Sequence, residues 1–364
     1  MRIGIDARPF KNKNYSGIPQ SIYEVINRWM DTKTEDEFYL ISNTNIEIPR
    51  DLPNNWNKVI VPAFTGNGTL WQLFRLKRII RKLKLDWYWG TNFMLPGNVK
   101  GCKYLLTIHD LAFEIMPEVV SDNTLLILKM LCKKSCRRAD IIHAVSESTK
   151  KDISKCYAID SNKIAVVYWG TSEESEKKAN IGNKLLCDYK YILVLGTIEP
   201  RKNIETIVKA YNFYMTNYQN DIHIVFAGRY GWKYDKFCEL VNNSKHKDHI
   251  HILDYVDNDI KEQLLNNAEL LLYPSLYEGF GLPILESYKH KLPVITTNIS
   301  SIPEVAGRAA FYVDDPYDYK AISSQISNVL SMDDLEKNRR INMMQEQIKK
   351  FSWEITADEL YELF

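Results

Sequence analysis

Short apolar runs rich in β-branched residues alternate with longer amphipathic segments from one end of the chain to the other, and few folds accommodate that rhythm. Such alternation is the mark of parallel sheets buried on both faces by crossover helices. Strands are expected near Ile3–Asp6, Phe38–Ile41, Val59–Val61, Trp87–Trp89, Tyr104–Ile108, Ile141–Val145 and Ile164–Val167. A second set is expected near Tyr191–Leu195, His223–Ala227, His251–Leu253, Leu270–Tyr273, Val294–Thr296 and Ala310–Tyr312. Two sets of strands in 364 residues give two α/β domains. Between them Gly170-Thr-Ser-Glu-Glu-Ser-Glu-Lys-Lys is polar, has no apolar period and reads as a linker. The expected boundaries are 1–172 and 186–350, followed by a docking helix over 351–364. In that tail Ser352 is placed to cap the helix, and Trp353, Ile355 or Thr356, Leu360 and Leu363 recur at helical spacing.

Composition excludes several classes. At 45% hydrophobic and 26% charged residues the chain is neither disordered nor fibrous. Apolar runs such as Leu125–Leu128 fall far short of the ~20 residues that cross a bilayer. Met1 is followed at once by a charged residue and a strand-like run, with no apolar leader, so a cytosolic location is expected. Cys102, Cys132, Cys136, Cys156, Cys187 and Cys238 form no Cys-x-x-Cys pair and no zinc spacing, and read as reduced thiols. Charge is uneven: residues 1–170 carry 25 Lys and Arg against 17 Asp and Glu, while residues 171–364 carry 22 against 29. A basic half permits an anionic partner, but no helix-turn-helix, RNP or zinc pattern accompanies it, so nucleic acid is not expected.

The chemistry is concentrated in Leu271-Leu-Tyr-Pro-Ser-Leu-Tyr-Glu278-Gly-Phe-Gly-Leu-Pro-Ile-Leu-Glu286. A strand ends near Tyr273, a glycine loop turns, and Pro283 sits where a first helical residue would, since its missing N–H is unpaired there anyway. Gly279 and Gly281 allow close backbone approach, and a helix N-terminus suits a phosphate or clustered sugar hydroxyls. Glu278 is expected before the helix and Glu286 in its first turn, two carboxylates able to accept bonds from vicinal diols. The plainer alternative makes Glu286 a partner of the helix dipole and Glu278 a solvated loop residue. A second loop repeats the design: the strand Tyr191–Leu195, then Gly196-Thr-Ile-Glu-Pro-Arg201-Lys202, then Asn203 as cap of the next helix. Two cations ahead of a helix N-terminus ask for an anion in front of both.

Gly196-Thr-Ile-Glu-Pro-Arg-Lys-Asn203 and Glu278-x7-Glu286, with Gly-Phe-Gly-Leu-Pro between the carboxylates, resemble glycosyltransferase family 4, the retaining GT-B enzymes. The resemblance spans the chain. Ser16-Gly17-Ile18 is similar to the family's N-terminal glycine loop, Thr107-Ile-His109-Asp110 to its His loop, and Phe351-Ser-Trp353 to its returning helix. It implies two Rossmann-like doubly wound domains facing a cleft, with a nucleotide sugar on the C-terminal domain and a glycan or lipid-linked glycan acceptor on the N-terminal one. It also implies transfer with retention and no metal or other cofactor. By the same resemblance Lys202 and Arg201 stabilise the leaving diphosphate, Glu286 binds the donor ribose and Glu278 the donor sugar. Gly279, Phe280, Gly281 and Leu282 offer backbone amides, Gly17 lets the first loop approach the phosphates, and His109 lies at the reacting sugar. Thr197 departs from the pattern, since many members carry Arg directly after that glycine.

The implied reaction is transfer of a hexose, first of all mannose from GDP-mannose, in synthesis of a surface polysaccharide or O-antigen-type chain. A UDP-hexose or dTDP-rhamnose donor, a GT-B sugar-nucleotide epimerase and a catalytically silent nucleotide-sugar-binding scaffold are the alternatives. Two carboxylates at a sugar also suggest a glycosidase, but the neighbouring cations favour a phosphate. Three features are read conservatively. Asp257-Asn-Asp259 matches a metal-dependent signature but precedes a helix and is taken as its cap, and no metal ligand is assigned. Trp87-Tyr-Trp89 is taken as core. The basic stretches 75–84, with six cations in ten residues, and 125–138 fit either a solvated helix face or a contact with anionic lipid.

Overall fold

The computed structural model describes residues 1–364 except 12–14, 16, 64–67, 120–121, 172–188 and 219–220. Two fully parallel sheets emerge from the alternation read in the sequence. The first holds β1 (Arg2–Asp6), β2 (Glu37–Ser42), β3 (Trp56–Ile60), β4 (Trp87–Gly90), β5 (Lys103–Ile108), β6 (Ile141–Ala144) and β7 (Ile164–Val166) in the order β3-β2-β1-β4-β5-β6-β7. The second holds β8 (Tyr191–Leu195), β9 (His223–Ala227), β10 (Ile250–Leu253), β11 (Leu270–Tyr273), β12 (Val294–Thr297) and β13 (Phe311–Val313) in the order β10-β9-β8-β11-β12-β13. Every expected strand is present; β3 departs most, starting three residues before Val59. The chain divides into one compact unit of Met1–Gly170 with Trp353–Phe364, and another of Thr171–Ser352. Most of the expected linker, and Cys187, lie outside the described residues. No described helix is long and apolar enough to cross a membrane.

Each sheet reverses its winding once, between β1 and β4 in the first and between β8 and β11 in the second. At such a point the crossovers leave to opposite faces and open a crevice beyond the carboxyl ends of the strands, where open α/β sheets bind ligands. The loops after β8 and β11 are those that carry Arg201, Lys202 and Glu278.

Within the first unit, Trp87, Tyr88 and Trp89 are buried core residues, so they offer no exposed stacking surface. Trp29, on the helix Ile18–Thr32, is fully buried and donates its indole N–H to Ala357 O at 2.8 Å. Ala357 belongs to the helix Trp353–Tyr361, whose Glu354 and Asp358 pair with Arg28 and Lys33. Thr356 Oγ1 donates to Tyr168 O at 2.7 Å, closing the tail onto the first sheet's last connection.

A buried polar chain crosses the same unit. Trp89 Nε1 donates to Thr107 Oγ1 at 2.8 Å, Thr107 Oγ1 meets His143 Nδ1 at 3.0 Å, and His143 Nε2 meets Val167 O at 2.8 Å. A carbonyl only accepts, so His143 carries its proton on Nε2 and receives the threonine hydroxyl at Nδ1. Burial pushes the His143 pKa down to about 3 from 6.5, outweighing the Val167 carbonyl, which favours the cation; nearby His109 lowers it further. Folding thus favours the neutral ring, a contribution complete above pH 6.5 and lost as pH falls from there toward 3. In urea unfolding followed by tryptophan fluorescence, His143→Gln is expected to lower the midpoint at pH 7 and to show a smaller further fall at pH 4.5 than the native chain.

Candidate active site

The turn after β8 is shaped by glycine. Gly196 has φ of +136°, and a Cβ there would stand 3.2 Å from Lys202 Cε. A Cβ on Gly228, just after β9, would overlap the Gly196 carbonyl, and one on Gly231 would press within 2.8 Å of Thr197 Cγ2. The ends of β8 and β9 therefore run together, tied by Gly196 N to Ala227 O at 3.0 Å, Ile198 N to Arg229 O at 2.9 Å and Gly231 N to Ile198 O at 3.0 Å. Out of this floor a single turn of 3-10 helix, Pro200–Lys202, raises the two cations ahead of the helix Ile204–Tyr218.

Arg201 and Lys202 converge on Glu278. Arg201 Nη1 reaches Glu278 Oε2 at 2.8 Å and Tyr277 O at 3.0 Å, while its Nε and Nη2 hold Glu199 Oε1 at 2.9 and 2.8 Å. Lys202 Nζ reaches Glu278 Oε1 at 2.6 Å and the Tyr273 hydroxyl at 2.8 Å, over the face of the Tyr273 ring. Glu199 and Glu278 are buried, so Glu278 is not the solvated loop residue of the plainer sequence reading. Burial alone would raise the Glu278 pKa, but Arg201 and Lys202 overcome it and hold the carboxyl at about 2. Burial pulls the Lys202 ammonium below its usual range against the attraction of Glu278. The cluster contains two cations and two carboxylates, its charges saturated by one another.

The glycine string around Glu278 is pinned from the next strand's loop. Glu278 N donates to Ser300 Oγ, and Ser301 Oγ bonds Glu278 O and Phe280 O, each at 2.9 Å. Phe280 is buried, its ring 5.7 Å from Phe351 at 78°. Gly281, at φ +115°, stands at the N-cap of the helix Leu282–Lys289 without a side-chain cap. Leu282, not Pro283, is thus the first helical residue, because the left-handed glycine starts the helix one position early. Glu286 accordingly falls in the second turn rather than the first. It pairs with Lys261 Nζ at 2.6 Å, on the helix Asn258–Asn267, and does not join the Glu278 cluster.

Two local expectations resolve differently. Asp257 accepts from Ile260 N at 2.9 Å and so caps its helix. Asn203 precedes its helix in a left-handed conformation and caps nothing with its amide N–H2, which bonds Pro274 O at 3.1 Å and Pro316 O at 2.6 Å.

His109 and Gly17 belong to the first unit. His109, after β5, puts Nε2 on Thr91 O at 2.8 Å, while Thr91 Oγ1 bonds Asp6 O at 3.0 Å. Thr91 thus ties the carboxyl ends of β1, β4 and β5 at that sheet's own reversal. The bond fixes the His109 proton on Nε2 and leaves Nδ1 as an acceptor. The ring is buried, stacked 5.8 Å from Trp169 at 22°, and burial pulls its pKa down to about 4. Gly17 stands at the N-cap of Ile18–Thr32 with φ 58° and ψ −127°, a conformation open to glycine; Ser16 lies outside the described residues. Glu199, Lys261 and Tyr273 join these residues without having been singled out by the sequence: Tyr273 meets Lys202 across 71 positions and Lys261 meets Glu286 across 25, which no local spacing encodes, while Glu199 lies two residues before Arg201 inside the motif itself.

Comparison with known proteins agrees with this geometry. Residues 22–175 match the family model described as Glycosyltransferase Family 4, and residues 176–347 match Glycosyl transferases group 1. The chain is 31% identical over 273 residues to the O-antigen chain mannosyltransferase B of Escherichia coli, covering 73% of this chain and 71% of that one. Its fold matches WaaG, a glycosyltransferase involved in lipopolysaccharide biosynthesis, with a TM-score of 0.75 at 15% identity, covering 100% and 99% of the two chains. It also matches Anabaena HepE, solved with UDP and glucose, with a TM-score of 0.72 at 15% identity over 100% and 98%. Two parallel doubly wound units, glycine turns at the switch point of the second, and this relationship over most of both chains together place the chain in glycosyltransferase family 4, as a mannosyltransferase-like enzyme of GT-B fold.

Proposed function

We propose that the chain transfers mannose from GDP-mannose to a growing surface glycan, with retention at the anomeric carbon and without a metal ion. The observation that carries this reading is the Arg201–Lys202–Glu278 cluster at the switch point of the second sheet. Glycosyl transfer builds negative charge on the departing diphosphate, and cations already fixed in place stabilise it without reorganisation. Glu278 engages both cations, one through each carboxylate oxygen. An incoming diphosphate competes for them, which frees the Glu278 carboxylate to accept hydrogen bonds from the sugar's hydroxyls. Glu286 makes the same exchange on a smaller scale, leaving Lys261 for the ribose diol. The backbone of Gly279, Phe280, Gly281 and Leu282 then lies along the sugar and phosphates. Two protein cations supply the charge that a divalent ion supplies elsewhere. Similarity to an O-antigen mannosyltransferase favours mannose over other hexoses.

Neutral His109, with its proton held by Thr91, serves as a hydrogen-bond acceptor toward the reacting sugar through Nδ1. No covalent intermediate on the protein is required. Thr197, in place of an Arg, leaves the diphosphate more dependent on Lys202 and Arg201.

A contact with anionic lipid forms the second part of the proposal. In the helix Leu76–Leu83 the apolar residues Leu76, Ile79 and Ile80 are core, so their interleaving with cations serves packing. What faces outward is basic, and Phe74 (70% exposed) and Leu126 (75% exposed) stand beside these stretches. Such a combination suits an acceptor anchored in a bilayer.

Three experiments test these statements. Thermal unfolding in excess EDTA against GDP, UDP, dTDP, ADP and CDP is expected to show a selective rise with GDP, worth about 2.7 kcal/mol at ~100 times Kd. A rise with another base reassigns the donor, and no rise without added metal defeats metal independence. Lys202→Ala and Glu286→Ala are expected to weaken GDP binding by about tenfold or more, the scale of one charge-assisted bond. Glu278→Ala and His109→Ala are expected mainly to lower kcat. Glu278→Ala removes the carboxylate that competes with the diphosphate, so its unliganded Tm falls while its GDP-induced rise exceeds that of the native chain. In flotation with vesicles, binding is expected to phosphatidylglycerol and not to phosphatidylcholine alone, and to drop in Phe74→Ser/Leu126→Ser; equal activity on soluble and lipid-borne acceptors would remove the lipid contact.

A further inference from the structure

At the opposite end of the second sheet from Glu278, the entry residues of β9 and β10 gather an unusual set of side chains. In a parallel pair, residues in register share a face. Ile224 is in register with Ile250 and Val225 with His251, so His223, His249 and His251 fall on one side of the sheet. Asp221, two residues before His223, joins them. One ligand atom each from Asp221, His223 and His249 lies within 4.8 Å of the others. His249 Nε2 is 3.2 Å from Asp221 Oδ1, close to the roughly 3.3 Å that separates two ligands on a tetrahedral zinc ion.

The next layer is in place. His223 Nδ1 meets His251 Nε2 at 2.8 Å, fixing the His223 ring by its neighbour as a partner of a metal-bound imidazole does. The Tyr189 ring lies flat against His223 at 3.9 Å and 17°, and against His251 at 4.9 Å and 11°. Asp221 is 92% exposed and held, among the described residues, only at its His249 side, so rotation of the carboxylate can close the remaining distance to His223 without backbone movement.

We propose that Asp221, His223 and His249 bind one divalent transition ion of the zinc class, with water completing its coordination and His251 orienting His223. Two imidazoles and one carboxylate are a borderline donor set that selects zinc, cobalt or nickel over magnesium and calcium, whose preference is for oxygen alone. The ion bridges the entries of β9 and β10 and the segment that leads into β9. It lies at the far end of the strands from the Arg201–Lys202–Glu278 cluster and takes no part in transfer; the inference is independent of the donor assignment.

The test uses the full chain, stripped with EDTA and dialysed, and titrated with CoCl2 by visible absorption and with ZnCl2 by calorimetry. One Co2+ per chain is expected, with ligand-field bands that Zn2+ displaces, a saturable rise in Tm with Zn2+, and none with Mg2+. His223→Gln/His249→Gln is expected to abolish the bands, and His251→Gln to weaken Zn2+ by about tenfold, as loss of an orienting partner does. Asp221→Ala, at an exposed position where folding is not at risk, is expected to weaken Zn2+ by about tenfold or more. Absence of saturable binding, or Co2+ bands unchanged in both Asp221→Ala and the double variant, overturns the site. GDP-induced stabilisation is expected to be the same in all these variants, which separates failure here from failure of the donor reading.

Discussion

The ion cluster of Glu199, Arg201, Lys202 and Glu278 is the arrangement around which the second unit is organised. An unpaired charge at this depth costs several kcal/mol, and removing one partner from a buried pair costs about 3–5 kcal/mol. The cluster exists because β8 and β11 are neighbours, although β8 ends at Leu195 and β11 begins only at Leu270: Lys202 comes from the loop of one and Glu278 from the loop of the other. Gly196 gives the Lys202 side chain its place, Ser300 and Ser301 hold the Glu278 backbone, and Tyr273 presents its ring and hydroxyl to the ammonium. The same charges that stabilise the resting loop are the ones a phosphate would engage, so structure and proposed chemistry share one set of atoms. Under the proposed exchange, an anion that takes the place of Glu278 leaves neither cation bare, and the sugar's hydroxyls take up the freed carboxylate.

The first unit fixes its own reversal of winding through a threonine. At its own reversal of winding, Thr91 bonds both Asp6 O and His109 Nε2, and the imidazole is held neutral by burial. One threonine therefore sets the ends of three strands and the tautomer of the ring. His143, two strand positions away on β6, is fixed by the same kind of partner, a carbonyl on one nitrogen and a hydroxyl on the other.

Much of this was legible in the residues because local periodicity dictates local structure. All thirteen strands among the described residues followed from runs of apolar residues, and the Asp257 cap followed from a carboxylate three residues ahead of a helical N–H. Errors of one position came where a backbone conformation decides: Gly281 in its left-handed form begins a helix at Leu282, which shifts Glu286 into the second turn. What could not be read were pairings between loops. The sequence presents Arg201 and Lys202 as cations awaiting an anion, and the fold supplies two, one of them 77 positions away from Arg201. Likewise the closeness of Asp221, His223 and His249 depends on the register of β9 with β10, which no spacing signature announces.

The close approach of Gly228 to the Gly196 carbonyl bears on how such an enzyme diversifies. Where two backbones leave no space for a methyl group, the path of the turn is inherited as a fixed object, and selection is left with only the side chains that surround it. Substitution of Gly228 must move both backbones at once, whereas a side-chain change at a neighbour such as Thr197 leaves their path alone. At this turn the backbone, and not the side chains around it, sets what can change.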